Sequence, residues 1–199
     1  MLLQLAASIL GDGRNSRLYR ALVNELQYAV AVSVGVEPFE LASLFSIDTT
    51  LTMETEAGQV NEIIDQELAS FLRNGPGEDE LDRAKSKINA EVIRGLEQVG
   101  GFSGKAATLA QGELYDGNPD FIKTALSWVN HATTAEVQEA SRRWLEEGAY
   151  RLDVIIEPGQ QHTVCYPAPR PGQHAVKRAT NDPANLELGI RSRQLIFAP

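Results

Sequence analysis

Apolar positions change period several times along the chain, and each change marks an element. Leu2 to Leu10 is apolar at most positions and is halted by Gly11-Asp12-Gly13, which predicts an opening helix. Ser16 is a residue type that caps helices, so a second helix is expected from there to about Gln27. The period then drops to two. Tyr28–Glu37 alternates through Val30, Val32, Val34 and Val36, and Leu44–Met53 places Phe45, Ile47, Thr49 and Leu51 on one face. These are two strands, with Pro38 and the stretch to Ser43 turning between them.

From Ala57 the helical period returns. Val60, Ile63, Ile64, Leu68, Phe71 and Leu72 form one stripe, closed by Asn74-Gly75-Pro76-Gly77. Leu81, Ala84, Ile88, Val92 and Leu96 form a second, whose opening Glu78-Asp79-Glu80 sets negative charge at the positive end of the helix dipole. Further helices are expected near 102–115, 119–130 and 133–147, the last opened by the capping pair Thr133 and Glu136 and carrying Val137, Ala140, Trp144 and Leu145. Arg151–Glu157 reads as a returning strand. A hairpin, then helices, then a strand implies an α+β, two-layer sandwich: a mostly antiparallel or mixed sheet with helices covering one face. An opening helix with no strand before it leaves that sheet short, so one or more strands upstream of Met1 are expected.

Composition divides the chain unevenly. Of 18 Lys and Arg and 27 Asp and Glu, residues 158–199 hold five and two, which leaves −12 of charge on residues 1–157 against −9 for the whole. The same tail holds six of the nine prolines. Residues 1–157 are therefore expected to form the packed domain and 158–199 a proline-rich linker or tail. The alternation in LELGIRSRQLIFAP at its end suggests a strand belonging to whatever follows. At 43% hydrophobic and 23% charged residues the chain is of globular rather than disordered composition. No apolar run approaches the roughly 18 residues of a membrane span, and MLLQLAASIL lacks the basic start of a secretory signal. The acidic balance argues against nucleic acid as a partner.

The candidate chemistry is sparse. Gly11-Asp12-Gly13 has Ser16 where a dinucleotide fingerprint needs glycine, so it reads as an interhelical turn. His131, His162 and His174 fit neither H-E-x-x-H nor its inverted form H-x-x-E-H; His131 reads as a helix-end group. His162, Cys165 and His174 are of ligand type but lie in the expected linker, and a single cysteine allows no intrachain disulfide. Ser8, Ser16, Ser33 and Ser103 lack a G-x-S-x-G elbow. Glu78–Glu80 reads as a helix start before it reads as acid/base chemistry. Arg17, Tyr19, Arg20 and Tyr28 are the side chains placed to meet a peptide, with surface helix and strand-end positions as the ordinary alternative.

Three segments carry a resemblance. ILGDGRNSRLYRALVNELQYAVAVSV, GPGEDELDRAKSKINAEVIRGLE and TTAEVQEASRRWL, in collinear order within residues 1–157, resemble the C-terminal domain of the pitrilysin/insulinase-like zinc peptidases, the inverzincins that include mitochondrial processing peptidase. The resemblance implies the processing-peptidase-like metallohydrolase fold and a noncatalytic half of a clam-shell metallopeptidase. In that family zinc is held by H-x-x-E-H and a downstream glutamate in a preceding domain, and this chain has no such motif. Catalytic, cofactor and metal residues are thus expected to be none here, with zinc in a catalytic domain in cis or in trans. Helpful family members carry an arginine and, seven residues on, a tyrosine. An ungapped alignment puts Val23 and Val30 at those positions, while a shifted one brings Tyr28 near the tyrosine but Ala21 to the arginine. The implied function is one wall of a peptide-binding chamber in a zinc endopeptidase, or alternatively an inert assembly subunit of the same fold. Peptides are the implied substrates, homo-oligomerisation is left open, and the localisation is left unknown, the periplasm being compatible with the resemblance because bacterial relatives of the long type are commonly exported.

Overall fold

Helix α1 (Leu2–Gly11) buries Leu5, Ala6, Ile9 and Leu10 and ends where the sequence places its glycines. In the computed structural model, which describes residues 1–39, 42–101, 104–146, 149–154 and the backbone of 191–197, α1 packs against strand β1 (Ala29–Pro38) and the late helix α7 (Thr134–Leu145). Gly11 is required by this packing: a Cβ there would collide with the Val34 side chain and stand 2.9 Å from the Val34 backbone nitrogen.

The expected second helix departs from regular form. It is one short α-helical segment, α2 (Arg17–Tyr19), running into a π-helical segment (Arg20–Glu25). The Leu26 N–H bonds the Ala21 carbonyl at 3.0 Å, five residues back, and Gln27 takes a positive φ of 56°. That reversal lets the Tyr28 N–H reach the Leu22 carbonyl at 2.9 Å and directs the chain into β1. Leu18 and Leu22 are buried, which anchors both segments to the core.

Strand β1 pairs antiparallel with β2 (Ser43–Leu51), and Phe45, Ile47, Thr49 and Leu51 are buried on one face as the alternation predicts. β1 does not keep its alternation throughout. The register shifts between Ala29 and Ala31, so Ala29 turns inward and Val30 stands 63% exposed, while Val32 is buried. A bulge adds one residue to one strand and moves every side chain before it to the opposite face. The expectation that Val30 shares the inner face with Val32 is corrected by this shift.

Helices α3 (Ala57–Asn74) and α4 (Glu78–Glu97) follow, then α5 (Lys105–Asp116), α6 (Phe121–His131) and α7. α3 buries Val60, Ile64, Leu68 and Phe71 and packs on α7; α4 lies on α1 and contacts α5 and α6. Strand β3 (Tyr150–Val154) closes the series of contiguous elements, and residues 155–157 of the expected strand lie outside the described residues.

The sheet is antiparallel throughout, in the order β1-β2-β4-β3, where β4 is Arg191–Phe197. The alternating end of the chain thus forms a strand, but it pairs inside this sheet, between β2 and β3, rather than apart from it. Both of its backbone edges find partners there, which an outlying strand would leave unpaired. Arg151 reaches across to Asp65 of α3 with Nη2 2.6 Å from both carboxylate oxygens, so this parity of β3 faces the helices. Tyr150, Leu152 and Val154 take the other parity and are exposed. Helices therefore cover one face of an α+β sandwich, as the element order implied.

Candidate functional site

The densest polar constellation joins the start of α2 to the start of α4. Arg17 donates from Nε to Glu80 Oε1 at 2.9 Å and from Nη2 to Glu80 Oε2 at 2.6 Å. The same Nη2 donates to the Gly75 carbonyl at 3.1 Å, and the guanidinium carbon lies 5.2 Å from the centre of the Phe71 ring. Glu80 accepts a further bond from the Gly77 N–H at 2.8 Å, which caps α4. Planar donors matched to both oxygens of a carboxylate, stacked on an aromatic face, hold an arginine in one orientation. Hydrogen bonds from Arg17 first, then from the Gly77 N–H, hold the Glu80 carboxyl below the usual carboxylate range against the opposing effect of burial. The hydrogen bond to Glu80 raises the Arg17 pKa in turn.

This arrangement is structural. Arg17 Nε and Nη2 are bonded within the chain, to Glu80 and the Gly75 carbonyl, so these contacts fix the orientation of the guanidinium. Arg20 sits 3.5 Å from Glu25 at the surface, and Tyr28 is half-buried against the core. Of the two positions suggested by the ungapped alignment, Val23 packs partly on the core while Val30 is exposed. Neither offers a donor or an acid. Ala21 lies in the π-helical segment, where its carbonyl accepts from Leu26.

The remaining candidates are dispersed. Ser16 is buried and its Oγ donates to the Gly13 carbonyl at 2.7 Å, holding the turn instead of accepting from the helix it precedes. Ser8 lies on α1, and Ser33 is exposed opposite Asp48 in the β1–β2 register. His131 ends α6, where Nδ1 donates to the Ser127 carbonyl at 2.8 Å. Ser103, His162, Cys165 and His174 lie outside the described residues. Among the described residues no group of three or more His, Cys, Asp and Glu side chains is placed to hold a metal ion. Among the same residues no helix is long and apolar enough to cross a membrane.

Two sets of contacts escaped sequence reasoning. Gln138 and Arg142 of α7 donate to the last carbonyls of α3, Gln138 Nε2 to Leu72 and Arg73 at 3.1 and 2.7 Å and Arg142 Nε to Leu72 at 2.7 Å. Lys87 of α4 pairs with Asp12 at 2.5 Å. The only local signal for the latter is the concentration of charge and glycine in Gly11–Arg17.

A helix-covered antiparallel sheet whose densest polar constellation among the described residues ties two helix starts together defines an α+β domain. Comparison with known proteins places part of the chain beside a family. Residues 1–88 match the model of the peptidase M16 inactive domain, and over those residues the resemblance to that domain is shown. A search of the curated proteins found no match. Among solved structures, the chain is similar to a candidate zinc protease from Bordetella pertussis Tohama I, with a TM-score of 0.62, 23% identity, and coverage of 72% of this chain and 77% of that one. It is also similar to a protease from Helicobacter pylori (TM-score 0.64, 17% identity, 72% and 34% covered). A peptidase M16 inactive domain from Pseudomonas fluorescens is a third (TM-score 0.60, 20% identity, 71% and 33% covered). The chain spans about a third of the latter two chains, and at these identities the likeness shows the fold.

Proposed function

We propose that this chain is the noncatalytic half of a zinc-dependent metalloendopeptidase and forms one wall of its peptide-binding chamber. The match of residues 1–88 to the peptidase M16 inactive domain carries the reading. The ungapped alignment puts Val23 and Val30, and the shifted one Ala21 and Tyr28, where a catalytically helpful member would carry an arginine and a tyrosine; neither supplies the pair, which supports a wall rather than a contributor to bond cleavage. Among the described residues, strand β1, ten residues long, has β2 as its one neighbour in the sheet order, and its other edge suits addition of an extended peptide by backbone hydrogen bonds. Zinc, with its activated water, and the general base belong to the other half, in cis or in trans.

The test is the size, zinc content and peptidase activity of the native polypeptide carrying this segment, isolated with an antibody to residues 1–157. A zinc-bearing product well above 21.7 kDa, or a zinc-bearing partner that copurifies and restores peptide hydrolysis, is the expected result. A zinc-free product that is inactive with every copurifying chain would overturn it and leave the second reading, an inert assembly subunit, which the lack of that pair also favours.

A further inference from the structure

Beside Glu80, the turn between α1 and α2 and the opening of α4 enclose a cleft of about 240 Å³. Its charged lining is Asp12, Arg14, Glu80, Arg83 and Lys87. The two carboxylates are already committed, Asp12 to Lys87 and Glu80 to Arg17 and the Gly77 N–H. The guanidinium groups of Arg14 and Arg83 make no ion pair or hydrogen bond among the described residues, although the charge of Arg83 is felt by Glu80. Two uncommitted arginines on one concavity are a local reversal of sign in a chain of net charge −9.

We propose that this cleft binds a carboxylate group through Arg14 and Arg83. Guanidinium forks match the two oxygens of a carboxylate. Lys87 is neutralised by Asp12 and Glu80 by Arg17, so the charge left to meet an anion in the cleft is that of the Arg14 and Arg83 guanidinium groups. The volume lies below the roughly 300–1,000 Å³ of pockets that enclose whole drug-sized ligands, so it suits a single group. That group is either a free small carboxylate or the C-terminus of a polypeptide. The proposal stands independently of the chamber-wall reading.

The probes are sodium propionate, a tetrapeptide with a free C-terminal carboxylate, its amidated twin, and inorganic phosphate. Each is titrated into the ¹⁵N-labelled 199-residue chain at fixed ionic strength, observing the Gly13 and Asn15 amides and the Arg14 and Arg83 Nε–H signals. Saturable shifts are expected with propionate and with the free-acid peptide. Tighter binding of that peptide than of propionate identifies a chain terminus as the source, and equal binding identifies a free small carboxylate. The double variant Arg14→Gln, Arg83→Gln should weaken binding at least about tenfold with an unchanged circular dichroism spectrum. If that variant does not fold, Arg83→Lys, which keeps the charge and removes the fork, should still weaken binding by about threefold. Linear, non-saturating shifts, full affinity in these variants, equal binding of the amidated peptide, or phosphate binding tighter than propionate would each overturn the proposal.

Discussion

Arg17 and Glu80, 63 residues apart in sequence, are joined by two hydrogen bonds of 2.9 and 2.6 Å that tie the start of α2 to the start of α4. Their side chains are 16% and 25% exposed, so the pair is only partly desolvated and both charges keep some access to water. Its value lies in orientation: it aligns the α4 N-terminus, covers the Phe71 ring and satisfies the Gly75 carbonyl in one contact set.

Removing one partner leaves the other half-buried and unpaired. Arg17→Ala should destabilise the chain by about 2 kcal/mol, and Arg17→Lys should recover less than half of that, because an ammonium cannot reproduce the fork or the stacking. Urea unfolding at pH 7 measures both. Equal stabilities of the wild type and Arg17→Ala would show that the pair contributes orientation without net stability.

Acid should weaken this contact in a defined direction. Glu80 has its pKa lowered in the folded chain, chiefly by the hydrogen bond from Arg17. A depressed acid binds fewer protons folded than unfolded, so its contribution is present above its unfolded value of ~4.3 and is lost as pH falls through the folded one. Arg17, whose pKa is raised, remains charged throughout that window. Urea midpoints from pH 6 to pH 3 should therefore fall more steeply for the wild type than for Glu80→Gln, and parallel curves would remove Glu80 from the acid response.

At Gly11 the fold has no room for a side chain. Gly11→Ala pushes a methyl group into Val34 and should cost about 1–3 kcal/mol, with part recovered in the double variant Gly11→Ala, Val34→Ala. A thermal melt of the four proteins of this cycle gives the coupling, and additivity would mean that α1 moves away from β1 instead of overpacking.

Capping provides a comparison between local and distant design. Thr133 Oγ1 accepts from the Glu136 N–H at 3.3 Å while Glu136 Oε2 accepts from the Thr133 N–H at 2.8 Å, and Thr133→Ala should cost about 1 kcal/mol. Gln138→Ala should cost a similar amount by leaving the carbonyls of Leu72 and Arg73 with fewer donors. Chemical denaturation resolves the two, and a neutral Gln138→Ala would show that water replaces the amide.

The Thr133–Glu136 cap was legible because both members lie within one helical turn. The Gln138 contact was not, because nothing local to α7 specifies that it will lie beside the end of α3. The same division holds at the candidate site. Val23 and Val30 could be placed by alignment, but the bulge at Ala29–Ala31 that exposes Val30 arises from pairing with β2. Arg17 looked available to a peptide from its position at a helix start, and only the approach of α4 shows that its Nε and Nη2 are bonded to Glu80.

The sequence by itself determined the kinds and order of the elements, because the periods of two and 3.6 in Val32–Val36, Phe45–Leu51 and Val60–Leu72 express which face each segment must bury. It also determined the resemblance, which rests on linear motifs. Tertiary structure decided that Arg191–Phe197 enters the sheet between β2 and β3, that Val30 turns outward, and that Arg17 serves Glu80. Each of those outcomes depends on a partner far away in the chain, and the free energy of such a contact exists only once folding has brought the two together.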